Sequence, residues 1–206
     1  MPTSSTRPRQ RLSAEQRREQ IVSATVSVLA EHGFRGTSVD AIAQRAGVSK
    51  GLMWHYFEDR DDLMVRTAEH ALLELRHAVA ARIDLTAPAP DVIRAAIHGA
   101  AHTRDTHGAQ RRALDEIVNN LRTAEGSARF TLRDYEDMYL AQERIFRRGQ
   151  DDGDFRAALN PRALAVTYQG AVDAMLGYLD AHPDVDADGY AATVADILLD
   201  GIVRSR

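Results

Sequence analysis

The side chains best suited to chemistry in this sequence lie between Thr37 and Arg60. Lys50, the only lysine, is followed about one turn later by Trp54, His55 and Tyr56. An ammonium, an indole, an imidazole and a phenol so close together can donate to base edges, stack, and neutralise phosphate. Charge supports that use. Residues 1–57 hold seven Arg and Lys50 against Glu15, Glu19, Glu31 and Asp40, whereas residues 58–206 hold 18 basic and 26 acidic groups. A basic segment on an acidic body implies a polyanionic partner for the segment.

Other chemistries find less support. With no cysteine there is no disulfide, thiolate metal site or cysteine nucleophile. The chain has no Gly-rich phosphate loop, no G-x-S-x-G and no HExxH, so no catalytic residue and no cofactor is expected. His98, His102 and Asp105 fall at i, i+4 and i+7, a spacing that can present ligands to a divalent metal, but they share a polar helical face with Arg94 and read better as a solvated face. Asp184 to Gly189 resembles the start of a calcium loop, yet Ala195 stands where the bidentate Glu is needed. No apolar run is long enough for a membrane span, and MPTSSTRPRQRL lacks a signal peptide's apolar core. A soluble, cytoplasmic protein without a membrane partner is expected.

The elements that must position Lys50 and the aromatics are two short helices meeting at Ala46-Gly47-Val48-Ser49. In VDAIAQRAGVSKGLMWHYFE, counted from Val39, Ala43 is fifth, Gly47 ninth and Met53 fifteenth, which is helix-turn-helix spacing. Ala43 lets two backbones approach, Gly47 takes a positive φ, and Met53 plugs the angle between the helices. An ordinary corner of two core helices would have no need of the charged and aromatic cluster. Upstream, Ser13 and Gln16 form a capping-box pattern for a helix over about 14–32, Gly33 suits its C-terminal cap, and Thr37 or Ser38 caps the next helix. Residues 1–12, with Arg7, Arg9 and Arg11, form a basic arm that is either a solvated tail or a DNA contact.

A recognition helix points its N-terminal residues at bases and leaves phosphates to its flanks. That places Lys50 and His55 near base edges, lets Gly51 approach closely, and puts Leu52 against a thymine methyl. Thr37, Ser38, Gln44, Trp54 and Tyr56 are assigned to the phosphate backbone. The run GFRGTSVDAIAQRAGVSKGLMWHYFEDRDDL resembles the DNA-binding domain of the TetR family of bacterial transcriptional regulators, from about Ile21 to Leu63. The similarity covers the S-K-G start of the recognition helix, Ser49 included. Trp54 stands where the family usually has Tyr, and Arg60 near where it often has Lys; both can still contact DNA. The resemblance implies an all-α protein: a three-helix head with a helix-turn-helix, then a six-helix ligand-binding and dimerisation domain. It implies a ligand-responsive repressor that binds a palindromic double-stranded DNA operator as a homodimer and is released by a small, mainly apolar effector. The alternatives are a helical ligand-binding protein without DNA binding and a metal-dependent enzyme.

On this basis the chain divides into an arm (1–12), a DNA-binding domain (13–60) and a regulatory domain (61–206). Periodicity predicts helices over about 61–84, 91–105 capped by Asp91, 109–123, 127–148, 161–181 and 188–203. The helix over 127–148 is predicted to be the longest of the regulatory domain after that over 61–84. Phe130, Tyr135, Met138, Tyr139, Phe146 and Tyr168 either line an effector pocket or simply fill the core. Gly170, Ala174 and Gly177 on one helix, with Ala191, Ala195, Leu198 and Ile202 on the next, form strips that either pair two protomers or face the monomer's own core. The resemblance favours the pocket and the dimer.

Overall fold

A computed structural model describes residues 12–203. The expected arm, with Arg7, Arg9 and Arg11, lies almost entirely outside the described residues. The chain is all-α: α1 Ala14–Gly36, α2 Val39–Ala46, α3 Lys50–Met53, α4 Arg60–Ala80, α5 Ala89–Thr106, α6 Gly108–Asn120, α7 Glu136–Asp151, α8 Pro161–Ala181 and α9 Ala187–Asp200, with a 3₁₀ turn at Leu132–Tyr135 before α7. No helix among the described residues is long and apolar enough to cross a membrane.

Local chemistry sets most boundaries in the head. Ser13 and Gln16 close the capping box that starts α1. Gly33 takes a positive φ of 67, but its ψ of 176 makes it a kink rather than the expected left-handed cap, and α1 resumes beyond it to Gly36 instead of ending near residue 32. Asp59, not a residue at 61, caps α4 by accepting from the Asp62 N–H at 2.8 Å.

Further along, three boundaries differ from expectation. α5 starts at Ala89 with Pro88 in the cap position and Pro90 in the first turn, where a missing N–H costs nothing, so Asp91 is not the cap. α9 starts at Ala187, with Asp186 as its cap, and ends at Asp200 rather than near 203. The predicted helix over 127–148 is replaced by a loop, the 3₁₀ turn and then α7. Arg122 and Ala128 form an antiparallel bridge, the Arg129 N–H donates to the Leu121 carbonyl at 3.0 Å, and Gly126 takes φ 83. Those bonds engage the backbone groups a helix would need, and a second capping box, Thr131 with Asp134, starts the chain again.

Two apolar cores result. The first joins Ile21, Val28 and Leu29 of α1, Ile42 and Ala43 of α2, Met53, Phe57, and Leu63 and Met64 of α4 with Ala113, Ile117 and Leu121 at and beyond α6. It therefore draws on residues from both sides of position 60. The second core joins α5, α7, α8 and α9 through Ile93, Ile97, Phe146, Phe155, Tyr168, Met175, Ala195 and Leu199. Gly149 is tightly packed there: a Cβ would stand 2.7 Å from that of Ala89 and run into the Phe155 ring.

Candidate nucleic-acid interface

The helix-turn-helix is built by caps in series. Ser38 accepts from the Ala41 N–H at 3.1 Å and starts α2. Gly47 ends it at φ 64 and ψ 35, and the Val48 N–H reaches back to the Ala43 carbonyl at 3.0 Å. Gln20 of α1 donates to the Ala46 carbonyl at 2.8 Å, closing the helix end from outside. Ser49 then accepts from the Leu52 N–H at 3.2 Å and opens α3. Regular α-helix ends at Met53, but Tyr56 and Phe57 still donate to the Met53 carbonyl, so the aromatics continue the same turn.

Burial divides this unit into two faces. Ile42, Ala43, Ala46, Met53 and Phe57 are buried in the first core, with Met53 wholly enclosed between the helices. Gln44, Ser49, Lys50, Gly51, Trp54 and His55 are exposed, and Leu52 and Tyr56 are half-buried. A Cβ at Gly51 would meet nothing within 4 Å, so the backbone there is open to a partner. Lys50 Nζ lies 2.8 Å from Asp40 Oδ1, both exposed. Such a pair is weak in water and can be exchanged for phosphate or a base. Ser38 and Ser49 use their oxygens as caps and keep a hydroxyl proton to donate.

Tyr56 sits edge-on to His55, at 5.4 Å between ring centroids, with the Arg18 guanidinium 5.9 Å from the Tyr56 ring. Behind them an open groove of about 740 Å³ runs between α1 and α4. Glu15, Glu19, Glu58, Asp62 and Glu69 against Arg18 and Arg66 make it a poor place for phosphate. The side of the head left open to a polyanion is the exposed α2–α3 face.

Two residues assigned to DNA are turned inward. Thr37 is buried and its hydroxyl donates to the Gly33 carbonyl at 2.7 Å, because the chain reverses there to start α2. Arg60 lays its guanidinium over the Phe34 ring at 4.6 Å and donates to the Phe34 carbonyl at 3.3 Å. Arg45 is likewise engaged: it holds Glu31 through two bonds, and the bond from Arg45 is the main reason the Glu31 carboxyl titrates below its usual range. Asp40 and Gln20 were missed by the sequence, since nothing in their spacing reveals a Lys50 partner or an external helix cap.

In the second domain, Tyr139, Phe146 and Tyr168 are buried, with the Phe146 and Tyr168 rings 6.1 Å apart and edge-to-face. Burial, with the charge of Asp173 adding to it, pushes the Tyr168 hydroxyl well above its ordinary value; burial also raises that of the half-buried Tyr135. Phe130 is not with them: the loop after α6 carries it to the first core. The cavity beside this cluster is small, about 50 Å³, and lies among Ile93, Phe146, Leu164, Thr167, Tyr168, Leu198 and Ile202. Of the expected pocket residues only Phe146 and Tyr168 line it, because α8 and α9, rather than α4, close this side of α7.

The strips on α8 and α9 separate. Gly170, Ala174 and Gly177 are exposed, with nothing within 4 Å of a Cβ at either glycine. Ala191 and Ala195 are fully buried against α5, and Leu198 and Ile202 pack half-buried on the same core, so that strip belongs to the monomer interior. The outward apolar residue of α9 is Ile197, 70% exposed, and Val166 continues the α8 strip at 45%. The half-turn offset between 195 and 197 could not be fixed by an alternation-free apolar run. Of the set-aside cluster, His98 lies 3.8 Å from Asp188 of α9. Among the described residues no three metal-ligand side chains converge.

A basic helix-turn-helix head on a larger all-helical body defines the class of DNA-binding regulator folds. Residues 21–67 match the family described as "Bacterial regulatory proteins, tetR family". The HTH-type transcriptional regulator BetI of Burkholderia cenocepacia is 43% identical over 75 residues, 34% of this chain and 39% of that protein. BetI of Cronobacter sakazakii is 36% identical over 99 residues, 47% and 49% of the two chains. The matched part is thus less than half the length of these relatives. Among solved structures, a TetR-family transcriptional regulator from Rhodococcus sp. superposes with a TM-score of 0.75 over 89% of this chain and 98% of its own, at 22% identity. The fatty acid degradation regulator FadR of Bacillus halodurans gives 0.74 over 89% and 94%, at 17% identity. These likenesses extend the fold over both domains. The curated relatives named here are regulators, not enzymes.

Proposed function

We propose that the protein is a cytoplasmic transcriptional repressor that binds a palindromic DNA operator as a homodimer. The observation that carries this is the exposed face of Gln44, Ser49, Lys50, Gly51, Trp54 and His55, held on a helix-turn-helix whose opposite face is buried. Lys50 and His55 read bases; Ser38, Gln44, Trp54 and Tyr56 hold phosphates. The test is a titration of duplex from upstream of its own coding region against scrambled duplex at two salt concentrations. Equal affinity for both would remove sequence-specific recognition.

Dimerisation runs through Val166, Gly170, Ala174 and Gly177 of α8 with Ile197 of α9. Small residues on α8 permit close helix approach, and an isoleucine so exposed has little reason to be in water. Ile197→Lys should halve the mass seen by light scattering. The effector is small and mainly apolar, entering beside Phe146 and Tyr168. Since ligand pockets are typically ~300–1,000 Å³, these rings must move to admit it, and the bound state differs from the one described here. A compound that raises the melting temperature but leaves operator affinity unchanged would contradict effector control.

A further inference from the structure

The peptide unit of Phe34, one residue past the break at Gly33, is gripped from both sides by residues distant in the chain. Its N–H donates to Glu116 Oε2 of α6 at 2.8 Å. Its carbonyl accepts from Arg60 at the start of α4 at 3.3 Å. Around this point, Arg112 of α6 donates to the Ala30 carbonyl at 3.4 Å, and Asn120 donates to the Glu116 carbonyl at 2.8 Å. Gly33 stands so close that a Cβ would be 3.4 Å from Glu116 Oε2.

We infer that Glu116 is a positioning residue for DNA binding: from α6 it fixes the corner between α1 and α2, and with it the direction of the recognition face. The physical ground is that the first N–H groups after a break in a helix need a partner, and a carboxylate is the strongest side-chain acceptor available. Ser38, which starts α2, is four residues beyond Phe34, so a corner free to rotate would swing α2 and α3 together. Arg60 closes the other side, its guanidinium also lying on the Phe34 ring. The α6 backbone thereby becomes part of the head's frame, although α6 lies more than fifty residues beyond the recognition helix.

The inference rests on the DNA-binding reading for its consequence but not for its geometry, so two measurements separate them. Amide hydrogen exchange at Phe34 in the full chain tests the geometry. Glu116→Ala should speed it about tenfold, Glu116→Gln, which keeps an acceptor, by less than about threefold, and the amides of Leu29 and Ile42 should not change. Affinity for the upstream duplex tests positioning. Glu116→Ala should weaken it about fivefold with an unchanged salt slope, and Glu116→Gln should restore it. The sign is diagnostic, since deleting a negative charge far from the interface would by itself strengthen binding. Unchanged exchange at Phe34 in Glu116→Ala overturns the inference. So does faster exchange with undiminished affinity. If the unaltered protein binds no duplex, the DNA reading fails and the positioning role with it, while the exchange result still decides whether the grip exists.

Discussion

The head and the second domain are both helical and both use local caps, but the side-chain ties within each differ in range. In the head, helix starts are written within three or four residues: Ser13 with Gln16, Ser38 with Ala41, Ser49 with Leu52, Asp59 with Asp62, and Gly47 at a positive φ between them. In the second domain the ties are long. Arg148 of α7 donates to the carbonyls of Leu85 and Ala87, Arg104 of α5 to those of Pro183 and Val185, and Arg111 of α6 pairs with Asp180 of α8. A unit with local ties holds a fixed surface. One with distant ties can redistribute its helices, which is the property the proposed effector response requires.

The contrast can be broken first at the cores. Phe146→Ala should cost about 3–5 kcal/mol and Met53→Ala about 2–5 kcal/mol in chemical denaturation, because both side chains are almost fully enclosed. If the two regions differ as argued, the Phe146 variant should keep the helicity of the head, and Met53→Ala should lose duplex binding at temperatures where the second domain remains folded.

Next in size is the interface. Lys50→Ala should lose about 1–3 kcal/mol of operator affinity and relax preference at one position of each half-site, whereas Tyr56→Ala should weaken all sequences alike. Competition binding with single-base operator variants would tell them apart. Gly47→Ala should cost roughly 1–2 kcal/mol in thermal unfolding through backbone strain alone, since φ is 64 and nothing lies within 4 Å of a Cβ there.

The smallest effect concerns Asp173 on α8. The side chain is exposed, but partial desolvation beside its neighbours raises its carboxyl pKa, against the opposing Gln169 hydrogen bond and Arg111 charge. A carboxyl whose folded pKa is raised costs stability once the pH climbs above the unfolded value, and costs nothing below it. Asp173→Asn should therefore raise the melting temperature slightly at pH 7. That gain should shrink as the pH falls into the ordinary carboxylate range. A gain independent of pH would mean that charge is not its source.

What the sequence determined alone follows from the range of the interactions involved. Ser13, Ser38 and Gly47 act on backbone groups a few residues away, so their roles as caps and turn could be read from spacing, as could the inward face of Ile42, Ala43 and Met53. The tertiary structure decided the rest. Thr37 and Arg60 have types suited to DNA, but the reversal at Gly33 and the Phe34 ring draw them inward. Phe130 has a pocket residue's chemistry, yet a bridge between Arg122 and Ala128 routes it to the other core. On α9 the apolar residues nearly surround the helix, so no periodicity could say that Ala195 faces α5 and Ile197 faces water. Only the packing of α5 against that helix does, because burial there depends on which neighbour arrives from a hundred residues away.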